Sequence, residues 1–169
     1  MTTNYDTVNF YYKNKVNYTW VSNDITLREC TEIKENTKSK LMITLFGYIP
    51  MFVSKRHLVK NYLKTFDIKD SSNVNYIYKE DKKYPLMDSS VTTVYTDFIL
   101  NGLKEKLLLN YDYIILNSFM IEDSKFSKVL DIFNTVNCEN ILSKEEELSS
   151  MFDNLGKGFF YKETIYKVK

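Results

Sequence analysis

An almost unbroken apolar run, Leu41-Met42-Ile43-Thr44-Leu45-Phe46, constrains the fold of this chain more than any other segment. A strand that is apolar on both faces is typical of a parallel sheet covered by helices. Another strand pattern lies upstream at 18–22, and between the two Thr26 and Glu29 form a capping box that opens a helix to about Asn36. Strand, helix and strand at this spacing predict a βαβ unit and therefore an α/β fold.

The rest of the chain continues this pattern around one section of different character. Residues 67–97 are rich in Ser, Asn, Asp, Lys and Thr and carry short alternating runs, which predict a small antiparallel β insertion. We expect the strand at 41–46 to stop at Gly47 and Pro50. The 169 residues suit a single domain, 1–169. Further predicted elements are helices at 5–15, 55–64, 98–109, 123–133 and 144–152, and strands at 113–116 and 164–168.

The balance of charge excludes a bulk electrostatic attraction to nucleic acid or to an anionic membrane. The chain has 23 basic and 22 acidic residues, so any such binding requires a local patch. No stretch approaches the roughly 18 apolar residues that span a bilayer, and the first residues lack the basic and apolar regions of a signal peptide. We therefore expect a cytoplasmic protein without a membrane partner.

Two cysteines, Cys30 and Cys138, are too few and too far apart for a disulfide scaffold or a zinc site. We expect both thiols to be reduced and mostly structural. An iron–sulfur cluster typically needs four thiolates, so we expect no cluster held by this chain alone and no metal site.

The segment Ser54-Lys55-Arg56-His57 is the strongest local candidate for a site. It follows a strand and a Gly/Pro loop and opens a helix, where outward N–H groups favour phosphate or carboxylate. Ser54 as N-cap with His57 in the first turn makes the two weak catalytic candidates, a Ser/His pair. The alternative is a capping serine beside a solvated basic face. No GxSxG, HExxH, P-loop or GxGxxG motif is present.

Basic side chains on this helix form a predicted stripe that can bind a substrate phosphate or RNA. Contact with successive phosphates would make the binding depend on salt concentration. We expect most of the 14 tyrosines to be core or interface aromatics rather than base-stacking residues. The candidate phosphate-binding residues are Lys55, Arg56, Lys60 and Lys64.

Four segments resemble the peptidase U32 family, the collagenase-like proteases. The first is 43–56, in which a strand, a glycine and a Pro-Met pair lead to Ser54. The second is Tyr84-Pro85-Leu86, which resembles a short strand of the family's β insertion, and the third, 100–115, resembles the helix and strand that follow it. The fourth is the ending from Gly158 to Lys169. This ending is similar to that of short single-domain members from low-GC bacteria.

The resemblance implies a TIM-like (β/α) barrel. A complete barrel takes about 250 residues, so we expect the carboxyl-terminal half of one, with the antiparallel β insertion. In such a half-barrel, Gly47 to Arg56 would lie at the carboxyl end of a strand, where sites of this fold occur. Half a barrel leaves an unpaired edge, which predicts self-association or binding to the rest of the barrel.

Members of this family are known as peptidases, some as collagenases, and others act in prephenate-dependent hydroxylation of RNA bases, often with an iron–sulfur cluster. Where the cluster-bearing members carry Cys after the serine, this chain has Lys55, Arg56 and His57. The leading hypothesis from the resemblance is a collagenase-like peptidase, a hydrolase. The alternative is an accessory, RNA-contacting subunit that pairs with a cysteine-bearing paralogue in tRNA uridine hydroxylation. A third hypothesis is an interaction module.

Overall fold

A computed structural model of the chain describes residues 1–69 and 74–162, and these contain six helices and seven strands. The chain divides into two compact units, unit 1 (Met1–Gly47 and Leu100–Lys169) and unit 2 (Tyr48–Ile99). The fold is mixed α/β, as the sequence predicts. In chain order the elements are α1 (Tyr5–Lys13), β1 (Tyr18–Trp20), α2 (Leu27–Glu35), β2 (Lys40–Ser54), α3 (Leu58–Thr65), β3 (Asn75–Lys79), β4 (Lys82–Asp88), β5 (Thr92–Asn101), α4 (Leu103–Leu109), β6 (Tyr113–Leu116), α5 (Asp123–Thr135), α6 (Ile141–Met151) and β7 (Leu155–Gly156).

Side-chain caps encoded in the sequence start the first two helices of unit 1. At α1, Asn4 Oδ1 accepts the N–H of Thr7 at 2.8 Å. At α2 the predicted capping box is confirmed: Glu29 Oε2 accepts the N–H of Thr26 at 2.7 Å, and Thr26 Oγ1 accepts the N–H of Glu29 at 3.3 Å. Replacing such a cap by alanine costs about 1 kcal/mol, so these residues fix where the helices begin.

Parallel strands of unit 1 pair in the order β1-β2-β6. Ile43 of β2 pairs with Ile114 of β6, β1 lies beside the start of β2, and a parallel bridge joins Thr2 to Val21. The predicted parallel arrangement is confirmed, and consecutive β2 side chains are buried because helices cover the sheet. These buried residues are Leu41, Ile43, Thr44, Leu45 and Phe46.

Phe46 is fully buried in the apolar core of unit 1. Its ring centroid is 5.9 Å from that of Phe133 and 6.5 Å from that of Phe126, both on α5. Phe152, which follows α6, lies 5.6 Å away. Burying an aromatic side chain of this size contributes about 1.5–3 kcal/mol, so this cluster holds α5 and α6 on the sheet.

Unit 2 contains the predicted antiparallel strands. Ile77 of β3 pairs with Tyr84 of β4, and Leu86 of β4 pairs with Val94 of β5. Helix α3 begins at Leu58 rather than at residue 55 and has no buried residue.

Strand β2 continues through Gly47 and Pro50 to Ser54, so the predicted stop is wrong. Gly47 has φ 107, a conformation that side chains disfavour, and the strand continues through it. After Gly47, the N–H of Ile49 donates to Thr96 Oγ1 at 3.1 Å. Pro50 is exposed, where its missing N–H leaves no ladder bond unmade.

Strand β5 likewise runs through Phe98 to Asn101, so the predicted helix start at 98 is wrong. Helix α4 begins only at Leu103, after the N–H of Gly102 donates to the Leu45 carbonyl at 2.7 Å. Pairing between distant strands outweighs the local helical pattern here. The predicted strand at 164–168 lies outside the described residues. Across 1–69 and 74–162, no helix has the length and apolar character to cross a membrane.

Candidate functional site

The segment Ser54-Lys55-Arg56-His57 links the end of β2 to the start of α3 in unit 2. Ser54 is half-buried and the next three residues are exposed. Ser54 Oγ accepts the N–H of Arg56 at 3.1 Å, whereas the N-cap position of α3 is His57. The prediction that Ser54 caps this helix is therefore wrong, because the serine closes the turn that precedes it.

Asp88, at the end of β4, caps α3 from a distant part of unit 2. Its Oδ2 accepts the N–H of Lys60 at 3.0 Å, and its Oδ1 lies 3.0 Å from Nδ1 of His57. Thr92 Oγ1 accepts the N–H of Leu58 at 2.9 Å and lies 3.0 Å from Asp88 Oδ1. These bonds satisfy two of the N–H groups that the first turn of a helix leaves without a helical partner.

The Asp88 carboxylate is stabilised in its charged form. Burial by itself would raise its pKa, since the side chain is only 8% exposed, but hydrogen bonds from Lys60, His57 and Thr92 outweigh burial and lower the pKa. A negative charge at a helix N-terminus also interacts favourably with the helix dipole. The helix amides that the sequence assigns to an external phosphate thus already bind a carboxylate of the chain itself.

His57 is positioned by Asp88 and not by Ser54. The described hydrogen bonds of Ser54 and His57 do not join the two side chains. A serine nucleophile needs its base within about 2.6–3.2 Å. The structure therefore brings together a histidine and a carboxylate, the half of a catalytic triad that orients the base.

The predicted basic residues are exposed, and none of them has a described carboxylate partner. In the described part of unit 2 the ion pairs are His57–Asp88 and Lys82–Asp97. The cationic groups near α3 therefore remain available to an external anion. We refer to them as the α3 basic group, which comprises Lys55, Arg56, Lys60 and Lys64.

Exposed aromatic side chains are a second feature of unit 2. Tyr62 is 57% exposed, Phe66 62% and Tyr78 70%, and the rings of Tyr62 and Phe66 have centroids 4.7 Å apart. Tyr95 is the single buried tyrosine among the described residues, so the core part of the expectation applies to one ring, and the interface part stays a prediction. An exposed phenol keeps its hydroxyl hydrated and presents its ring as a contact surface.

An apolar groove of about 340 Å³ lies between α3 and the strands of unit 2. Its size is at the lower end of small-ligand sites. Leu86, Thr92 and Val94 are its buried residues, and Tyr62 and Ile77 are exposed along it.

The carboxyl ends of the parallel strands in unit 1 meet around Gly47. The N–H of Asn117, which follows β6, donates to the Phe46 carbonyl at 2.9 Å, and a Cβ on Gly47 would lie 2.3 Å from the Asn117 carbonyl oxygen. Asn23, which follows β1, is buried and donates to the Thr44 carbonyl at 2.7 Å. Sites of parallel α/β folds lie at this edge of the sheet, and here it carries amide side chains.

The two cysteines do not form a metal-binding set. Cys30 is buried in α2, and burial raises the pKa of its thiol to about 12, while Cys138 is exposed. In the part of the chain that the structure describes, no group of three or more His, Cys, Asp or Glu is placed to hold a metal ion. A cluster with four thiolate ligands does not fit the donors of this chain.

Sequence reasoning missed Asp88 as a partner of the candidate segment, because it lies 31 positions from His57. It also missed Tyr78 and Lys83, which face each other across the β3–β4 pair. The available signal for the second set was the pair Tyr76 and Tyr78, two positions apart and followed by Lys79, Lys82 and Lys83.

Comparison of the sequence with known proteins identifies the family of this chain. Residues 1–163 match the sequence model of Peptidase family U32. The tRNA hydroxylation protein P2 of Bacillus subtilis (strain 168) is 26% identical over 97% of this chain. This chain covers 61% of that relative, less than two thirds of its length. No solved structure matches the chain. Because the family match extends over nearly the whole chain, this protein belongs to Peptidase family U32.

Proposed function

We propose that this protein is an accessory, RNA-contacting subunit in prephenate-dependent hydroxylation of tRNA uridine. The similarity to a tRNA hydroxylation protein over 97% of the chain carries this proposal. The same similarity favours this function over the peptidase activity that the family name suggests.

The α3 basic group supplies the electrostatic part of the proposed RNA contact. A protein with a formal net charge of +1 needs a local cationic surface to bind RNA. Lys60 and Lys64 lie four residues apart on one helix, which puts them on the same side. Arg56 and Lys55 precede them at the turn. With Asp88 engaged by the helix amides, its charge is already partly compensated.

We further propose that unit 1 is the carboxyl-terminal half of a TIM-like (β/α) barrel. Parallel neighbours follow chain order, from the Thr2–Val21 bridge through β1 and β2 to β6, and helices lie between them in the chain. Sequential parallel neighbours are the arrangement of a barrel. Its completing partner is the rest of such a barrel or a U32 paralogue whose cysteines hold the cluster, since this chain has too few.

Nucleoside analysis of tRNA from a deletion strain tests the function directly. We expect the wobble-uridine hydroxyl to be lost and to return when the gene is restored. Unchanged tRNA in the deletion strain would remove the proposal.

Charge-neutralised variants then test the RNA contact. We expect the double variant Lys60→Gln/Lys64→Gln to weaken tRNA binding and to reduce the slope of log K against log salt by about 0.7–0.9 per lost phosphate contact. Lys104→Gln/Lys128→Gln is the matched control, because both lysines are exposed on helices of unit 1. Equal losses in the two double variants would contradict a localised contact at α3.

A peptidase is the second candidate, and the His57–Asp88 hydrogen bond at 3.0 Å is the observation that favours it. A carboxylate that orients a histidine is part of the machinery of serine and cysteine hydrolases. The discriminating assay is peptide cleavage by this chain with and without its paralogue. Cleavage that disappears in His57→Ala would favour the hydrolase, whereas no cleavage in either mixture would remove it.

A further inference from the structure

The β3–β4 pair of unit 2 carries two tyrosines and a lysine in an unusual arrangement. Tyr78 lies opposite Lys83 in the strand register, and Tyr76 is two positions away on the same strand face. Lys83 Nζ is 3.8 Å from the ring centroid of Tyr76 and 5.9 Å from that of Tyr78. The lysine therefore lies over both rings and is closer to that of Tyr76.

Tyr76 and Tyr78 differ in exposure and in distance from Lys83, and we therefore assign them different roles. Tyr76 is 36% exposed and has the ammonium group of Lys83 over its face, so this face is occupied. Tyr78 is 70% exposed, the most exposed tyrosine among the described residues. A ring held on a strand and open to solvent can stack on a flat partner at a small cost in conformational entropy.

We propose that Tyr78 stacks on an unpaired base of RNA and that Lys83, positioned by Tyr76, binds a phosphate next to that base. This inference rests on the proposed function, because it assigns residues and a class of nucleotide to the RNA contact. A base inside a helix has both faces covered by its neighbours, so a stacking ring selects single-stranded loops and ends.

Charge complementarity favours RNA over a protein as the occupant. Unit 2 carries eight Lys and Arg against six Asp and Glu. Asp97 pairs with Lys82, one of these eight bases, and Asp88 pairs with His57. Lys83 is exposed and has no described carboxylate partner, so its positive charge stands beside an exposed ring. An aromatic face next to such a cation matches a nucleotide, which combines a flat base with a phosphate.

Aromatic side chains on α3 extend this surface. The exposed rings of Tyr62 and Phe66 lie at the end of the helix that carries Lys60 and Lys64. Tyr62 and Tyr76 both line the groove between α3 and the strands. Unit 2 therefore offers rings and cations on both elements, which suits a strand of several unpaired nucleotides.

Fluorescence anisotropy with a labelled, unstructured 12-nucleotide RNA tests the proposal on the complete chain. We expect Tyr78→Ala to weaken binding about 5- to 100-fold, the range for loss of one stacked base. Tyr78→Phe keeps the ring and should bind within twofold of the parent. Tyr12→Ala removes a tyrosine that is 39% exposed on α1 and is the matched control, with no expected change.

The dependence on salt separates the two roles. Tyr78→Ala should leave the slope of log K against log salt unchanged, because stacking releases no counterions. Lys83→Gln should reduce this slope by about 0.7, the value for one phosphate contact on a single strand. Tyr76→Ala should act like a weaker Lys83→Gln, since it releases the lysine without removing its charge.

Two results would overturn the proposal. One is equal RNA affinity of Tyr78→Ala and the parent, with circular dichroism showing that both are folded. The other is a Tyr78→Ala variant that no longer self-associates in sedimentation experiments but keeps the RNA affinity of the parent. This result would assign the surface to a second copy of the chain.

The proposed function and this inference can fail separately. Tyr78-dependent RNA binding together with unchanged tRNA in the deletion strain would remove the function and leave the inference. Loss of the tRNA hydroxyl in the deletion strain, together with RNA affinity that is unchanged in Tyr78→Ala, would remove the inference and leave the function.

Discussion

Removal of the Asp88 carboxylate tests the capping of α3 that organises the candidate site. In Asp88→Ala, the N–H of Lys60 loses its acceptor at 3.0 Å, and His57 and Thr92 lose a hydrogen-bond partner. Loss of a helix cap costs about 0.5–2 kcal/mol. The exposed first turn of α3 lets water replace part of these bonds, so we expect about 1–2 kcal/mol.

Native-state hydrogen exchange measures this loss where it occurs. A cost of 1–2 kcal/mol corresponds to amides of α3 that exchange about 5- to 30-fold faster. Amides of α2 should not change, because that helix has its own capping box. Asp81→Ala is the matched control: Asp81 is exposed between β3 and β4, and its carboxylate makes no described hydrogen bond or ion pair.

The same cap predicts a pH dependence of known sign. The pKa of Asp88 is lower in the folded protein than its ordinary value of 3.8. The stabilisation is therefore complete above about pH 4 and is lost as the pH falls through the folded pKa. The difference in urea midpoint between the parent and Asp88→Ala should shrink below pH 3.8. Unchanged exchange in α3 at neutral pH, or a difference that grows in acid, would refute the capping argument.

Further variants and one chemical modification test other parts of the structure. Gly47→Ala should destabilise unit 1 by about 3 kcal/mol or more in urea unfolding, because φ is 107 and the new Cβ would meet the Asn117 carbonyl at 2.3 Å. Gly158→Ala, at φ 57, should cost only about 1 kcal/mol, and equal costs would contradict the close approach. Tyr161→Phe should destabilise by about 1.5–3 kcal/mol, because the Tyr161 hydroxyl donates at 2.6 Å to the fully buried Glu105. Burial first and this bond second raise the Tyr161 pKa to about 12, so NMR titration of Glu105→Gln should show a Tyr161 pKa closer to its ordinary value. A thiol reagent at pH 8 should modify the exposed Cys138 and spare Cys30, whose pKa is about 12, and equal rates by peptide mapping would contradict the burial of Cys30.

Short-range chemistry is the part of this fold that the sequence predicts well. The capping box at Thr26 and Glu29 involves residues three positions apart, so its pattern is visible in the sequence itself. The strand at 113–116 is predicted with the observed bounds because its apolar run stands between clear turn signals. Both features depend on neighbours along the chain.

Long-range pairing explains what the sequence could not predict. Gly47 and Phe98 belong to local patterns that indicate a strand stop and a helix start, yet both lie within strands. His57 is hydrogen-bonded to Asp88, which lies 31 positions away, so no local sequence pattern predicts this contact. The placement of the tyrosines is not predictable for another reason: a phenol ring suits both a core and a hydrated surface, so composition cannot decide between them.

The position of Gly47 in the chain also bears on how sequences of this kind can diverge. Unit 2 leaves unit 1 at Gly47 and returns at Leu100, and these two points lie on strands that are hydrogen-bonded neighbours, β2 and β5. A segment that departs and re-enters on adjacent strands can lengthen, shorten or be exchanged without changing the register of β1, β2 and β6. Selection can therefore alter the surface of unit 2 while the parallel strands of unit 1 stay the same, so the two units are free to evolve at different rates.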